Sequence, residues 1–166
     1  GARSEVPNPS LMDVEDVIDE LSSKGGLLVR RSGGRYSFAH PVVGGYFAAK
    51  AFINESNSEA LLSMQQNPVY APALRFYAAL GNASPLITQR LATPPDALQS
   101  DLFFIASWLG DAPASAPWKT EVFRKLAQVF ITATNPLDLR MRAVCSLVMS
   151  RDENVNKLFK QSLANP

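Results

Sequence analysis

The sequence predicts a mainly α-helical chain in which one helix and a β-hairpin lead into a stack of paired helices. Three observations carry that expectation. After residue 42, apolar residues recur every three or four positions through segment after segment, the spacing of one helix face. Alternation at spacing two is confined to a short stretch around Tyr36 and Phe38, bracketed by Gly33-Gly34 and His40-Pro41. With 166 residues, 46% of them hydrophobic, the chain is long and apolar enough to bury a core.

Taken in order, Ser10 stands three residues before Asp13 as a helix-capping signal, and Leu11, Val14, Ile18 and Leu21 continue at helical spacing to about Ser23. Gly25-Gly26 stops that helix. Leu27 to Arg31, then Ser32-Gly33-Gly34, then Arg35 to Phe38 read as two strands joined by a glycine turn. A helix followed by a hairpin is the second half of a winged helix, with Arg30, Arg31 and Arg35 around the wing, and residues 1–42 form that partial unit. Gly1-Ala2-Arg3 reads as a cloning remnant, and the chain as an excised piece of a longer protein.

Residues 43–166 read as helices only. The apolar residues after Pro41 crowd together as in a buried helix that ends near Asn54, and Asn57 or Ser58 starts another containing Leu61, Leu62 and Met64. Asn67-Pro68, Ser84-Pro85 and Asn135-Pro136 each place a capping side chain before a proline suited to a first helical turn. The expected stripes are Tyr70, Ala73, Leu74, Tyr77 and Leu80; Leu86, Ile87 and Leu91; and Leu102, Ile105, Ala106 and Leu109. Beyond the proline-broken loop 111–117 they are Trp118, Val122, Leu126 and Val129; then Leu137, Met141, Val144 and Val148; then Val155, Leu158 and Phe159. Cys145 falls on the apolar side of its helix as a core residue.

Aligning the segments at Leu74, Leu102 and Leu139 gives spacings of about 29 and about 38 residues, within the range of helical-hairpin repeats. Pro136 to Val144, with Asp152 to Val155 closing the turn, resembles a HEAT-type repeat. Such a hairpin cannot cover its own apolar face, so neighbours stack on it and the last face, at Leu163, awaits a further repeat.

The chain's one histidine, His40, sits where the spacing changes from strand to helix. Pro41 pushes it toward an extended conformation and suits the helix start. Phe38, His40, Tyr46, Phe47, Ala48 and Ala49 together resemble the end of the winged-helix segment in NACHT-type signal-transducing NTPases. Gly44 and Gly45 stand where that family often carries glutamine and usually glutamate. The resemblance implies that His40 touches the β-phosphate of bound ADP, across an interface with the nucleotide-binding domain of the same parent chain. It further implies ATP or ADP with magnesium in that other domain, a protein ligand or effector for the repeats, homo-oligomerisation of the full-length protein and a cytoplasmic setting. From the residues alone, His40 reads rather as a strand-end histidine satisfied by a backbone carbonyl.

Other chemistries find little footing. The chain has no phosphate-binding loop and no serine-centred nucleophile motif, so no catalytic residue is expected within it and no cofactor or metal of its own. One cysteine excludes an internal disulfide. Sixteen basic residues against fifteen acidic leave no pull toward nucleic acid, and Asp13, Glu15, Asp16, Asp19 and Glu20 on the first helix repel phosphate. No apolar run reaches membrane-spanning length. The partner-contact candidates are therefore the wing arginines Arg30, Arg31 and Arg35, and two aromatics off the main stripes, Phe76 and Phe104. The expected role is a regulatory, sensor-proximal part of a NACHT-like NTPase; the alternative is a stand-alone helical-repeat scaffold that binds a protein.

Overall fold

The computed structural model describes residues 13–55, 60, 61, 64 and 67–164, apart from the side chain of Leu163. The expected cap at Ser10 and the apolar position Leu11, the helix start at Asn57 or Ser58, Leu62, and the terminal face at Leu163 lie outside what is described.

Among the described residues, eight α-helices and one two-stranded antiparallel sheet make the fold mainly α. Helix α1 (Val14–Ser23) stops where Gly25 N and Lys24 N both donate to Glu20 O, and Gly26 takes the left-handed conformation at φ 59°. Strand β1 (Leu28–Arg30) pairs with β2 (Tyr36–Phe38) in the register Leu28 with Phe38 and Arg30 with Tyr36. The turn Ser32–Gly34 closes through Arg31 N donating to Arg35 O at 2.7 Å, with Gly33 and Gly34 at φ 74° and 70°. Positive φ at both positions is why this turn takes glycine.

Helices α2 (Pro41–Asn54) and α3 (Ala71–Leu80) pack closely. At Gly45 a Cβ would come within 2.5 Å of Pro72 Cβ, so only glycine permits the approach. There follow α4 (Ser84–Ala92), α5 (Ser100–Ala106), α6 (Trp118–Ile131), α7 (Leu137–Met149) and α8 (Asn154–Ala164). One apolar core runs from Ala49 through Leu74, Trp108, Leu126 and Leu147 to Val155. Each such fully covered large side chain contributes about 1.5–3 kcal/mol.

Several expectations fail on burial. Helix α2 is apolar without being sunk in the core: only Gly45 and Ala49 are buried, and Val42, Tyr46 and Phe47 are 46%, 40% and 50% exposed. The alternation at Tyr36 and Phe38 does not bury a strand face, since Phe38 stays 37% exposed. Leu80 is also exposed. On α7 the buried residues are Leu139, Ala143 and Leu147, while Leu137, Met141 and Val148 face solvent and Cys145 is exposed. Leu137, Met141, Val144 and Val148 share one face by spacing, but α6 covers the face of Leu139. Periodicity alone leaves two apolar faces on this helix, and the neighbour decides between them.

The helix starts also differ in their chemistry. Asn67 behaves as expected, its Oδ1 accepting from Val69 N at 3.0 Å. Ser84 does not cap; Asn82 Oδ1 accepts from Ser84 N instead, at 3.1 Å. Asn135 turns away, donating from Nδ2 to Val129 O. The shared device is an acceptor that takes the amide two residues ahead, used by His40, Asn67, Asn82, Asp96 and Asp152.

Candidate functional site

Because Pro41 forbids the helical conformation before it, His40 is extended, at φ −124° and ψ 126°. Its exposed ring turns back over the helix start, and Nδ1 accepts from Val42 N at 3.4 Å. A backbone amide, and not the carbonyl expected from the sequence, is thus its partner. With Nδ1 accepting, the neutral ring carries its proton on Nε2, where it is a donor.

Next to this junction, four aromatic rings make a continuous surface. Phe38 stacks on Phe47 with centroids 5.6 Å apart, Phe47 meets Tyr46 edge-on at 5.5 Å, and Tyr46 meets Phe76 edge-on at 5.6 Å. The rings tie the hairpin to α2 and α2 to α3. Gly44 makes room for the first contact, since a Cβ there would lie 2.9 Å from Phe38 Cδ2. Exposed apolar surface this continuous is the mark of a contact region.

The surface runs into a groove of about 580 Å³ between α3 and the α5 region. Phe76 and Phe104 both line it, with Val42, Pro72 and Trp108. Trp108 is 1% exposed, and Phe104 meets it edge-on at 5.0 Å, so the groove has a rigid floor. Arg75 Nε donates to Asp111 Oδ2 at 2.5 Å at the same place. The hydrogen bond to Asp111, and then its charge, raise the Arg75 pKa and keep the guanidinium ionised.

The groove brings together Phe76 and Phe104, both singled out in the sequence, with companions that were not. Asp111 lies 36 residues from Arg75 in a proline-rich loop, and no local pattern announces the pairing. Trp108 belongs to the buried core, and nothing local in the sequence sets it apart as the floor of a groove. The wing arginines stand apart: Arg30, Arg31 and Arg35 are exposed on the hairpin, none lines the groove, and Arg31 Nε donates to Ser37 Oγ at 2.9 Å. His40 does not line it either, although Val42, whose amide it caps, does.

A second depression of about 380 Å³, between α4, α5 and α6, is lined by both charged and apolar side chains. Its cations are engaged: Arg90 pairs with Asp101 and lies over the Phe104 ring at 4.3 Å, while Arg124 and Lys125 both reach Glu121. The hydrogen bond from Arg124 lowers the Glu121 pKa. Among the described residues no group of three or more His, Cys, Asp and Glu side chains is placed to hold a metal, and no helix is long and apolar enough to cross a membrane. Comparison with family models, with curated proteins and with solved structures finds no match to this chain.

Proposed function

We propose that this chain is a non-catalytic relay: the regulatory, sensor-proximal part of a NACHT-like signal-transducing NTPase. The observation that carries the reading is the junction itself, where an outward-facing His40 adjoins an aromatic surface that the described residues leave partly exposed. In this reading the hairpin and α2 dock on the nucleotide-binding domain of the parent protein, and His40 Nε2 donates to a phosphate of the ADP held there. ATP or ADP and its magnesium belong to that domain. The helical array receives a protein ligand, and a ligand that binds better to the undocked state shifts the protein toward assembly by that difference in affinity.

A second reading, a stand-alone protein-binding scaffold, is favoured by the groove at Phe76 and Phe104, which needs no nucleotide to be useful. The coding sequence upstream separates the two. A phosphate-binding loop followed by an acidic magnesium ligand supports the relay, and a coding region without them leaves the scaffold. In a full-length protein carrying such a domain, His40→Ala is expected to speed ADP release and favour assembly. Unchanged release together with an unchanged oligomer profile would remove His40 from the mechanism. The purified chain alone is expected neither to hydrolyse ATP nor to bind nucleotide in calorimetry; turnover that copurifies with the folded chain would overturn the non-catalytic reading.

A further inference from the structure

Helices α3, α5 and α7, the three segments that align as repeats, contribute to one run of grooves. Beside the apolar groove lies another of about 400 Å³, which shares Arg75, Ser107 and Asp111 with it and adds Met149 and Arg151. The two therefore meet at the Arg75–Asp111 ion pair. Within that pair the charges answer each other, so the charge left over along the run is that of Arg151, which makes no ion pair among the described residues. Arg151 is set there by its backbone, in the left-handed conformation at φ 55°, with its amide donating to Val148 O at 3.2 Å.

We propose that the adjoining grooves bind a linear protein segment bearing a bulky apolar side chain followed by a carboxylate. The apolar group enters beside Phe76 and Phe104 over Trp108, and the carboxylate meets Arg151. Charge complementarity selects this occupant: a wholly apolar segment leaves the guanidinium unanswered, and a basic one is repelled by it. The inference deepens the reading of the helical array as the ligand-receiving part, and it names the chemistry of that ligand.

Short fluorescein-labelled peptides carrying one Phe followed by Glu provide the probe, with control peptides in which Glu becomes Lys or Phe becomes Ala. Fluorescence anisotropy with the whole chain is expected to show binding of the Phe and Glu peptide, and about tenfold weaker binding of each control. Arg151→Glu, an exposed change that leaves the core intact, is expected to reverse the preference toward the Lys peptide, and Arg151→Lys to retain the original order. Equal affinity for the Glu and Lys peptides, indifference to Arg151→Glu, or no binding at all would overturn the proposal. So would light scattering that shows the chain dimeric and the grooves closed to peptide, since a second copy would then be the occupant. Failure here leaves the docking of the hairpin untouched, because ADP release from the full-length protein reports on that separately.

Discussion

Two apolar stretches meet at Gly45 and end in opposite environments. Among residues 13–44 none is buried: Ile18, Leu21 and Tyr36 are half covered, and Val14 is 70% exposed. From Gly45 onward every helix contributes at least one buried residue to a shared core. The first stretch is ordered by local devices, namely glycines at positive φ, a short ladder and a closing hydrogen bond from Ala39 N to Leu27 O at 2.8 Å. A two-stranded hairpin held only in that way is marginal in water. The second stretch is ordered by packing. The difference shows where stability resides: the array holds the buried core, and the hairpin with its aromatic ladder leaves apolar surface exposed.

Truncating a core side chain should widen the gap most. Leu126 is fully buried, so Leu126→Ala is expected to cost about 2–5 kcal/mol, read as a lower urea midpoint. Val14→Ala in the first stretch should move the same midpoint by less than about 0.5 kcal/mol. Equal losses would mean that the hairpin region shares in the core after all.

The seam itself comes next. Gly45→Ala drives a Cβ to 2.5 Å from Pro72 Cβ and 2.9 Å from its carbonyl carbon, a clash with a neighbouring backbone, and is expected to cost about 1–3 kcal/mol. Gly44→Ala meets the side chain of Phe38, which is 37% exposed and gives way more easily than backbone. Its loss should be the smaller of the two in paired denaturation curves. The same geometry leaves no room for a glutamate side chain at position 45, where close contact of α2 with α3 takes the space.

How far the sequence could be read follows from the same division. Helix positions were legible because Gly25-Gly26, Pro41, Gly81 and the prolines before later helices act locally, and local rules see them. The inward face of α7 was not, because Leu137, Met141 and Val148 are as apolar as Leu139, Ala143 and Leu147, and only the position of α6 chooses. Cys145 was misplaced for that reason. Within the candidate site, Phe76 and Phe104 stood out by breaking their stripes, and His40 by the change of period. Asp111 and Arg151 were invisible: one acts across a long loop, and the other takes a conformation usual for glycine with no glycine to flag it.

Arg151 also tests whether the array gives up stability at the groove that it lines. At φ 55° the Cβ of Arg151 crowds its own backbone, a steric cost that glycine escapes, so Arg151→Gly is expected to stabilise the chain by about 0.5–1 kcal/mol in thermal melts. Loss of the peptide preference with no gain in stability would mean that the arginine is held at no cost.

The smallest effect concerns acid. Asp96 starts the turn into α5, its Oδ1 accepting from Leu98 N at 2.9 Å and Ser100 N at 3.0 Å. The backbone hydrogen bond from Ser100, and then that residue's side chain, lower the Asp96 pKa below its ordinary value. A carboxyl with a lower pKa folded than unfolded supports the fold fully above its ordinary value, and the support drains away as pH falls through the folded value. The protection factors of the Leu98 and Ser100 amides, taken against the intrinsic exchange rate at each pH, should therefore fall on acidification below about pH 4. Asp96→Asn keeps an acceptor oxygen without the proton equilibrium, so the protection factors at these two amides should lose that acid dependence. If wild type and variant respond to acid alike at both amides, the turn into α5 draws its order from packing, as the rest of the array does, and local devices matter only on the hairpin side of Gly45.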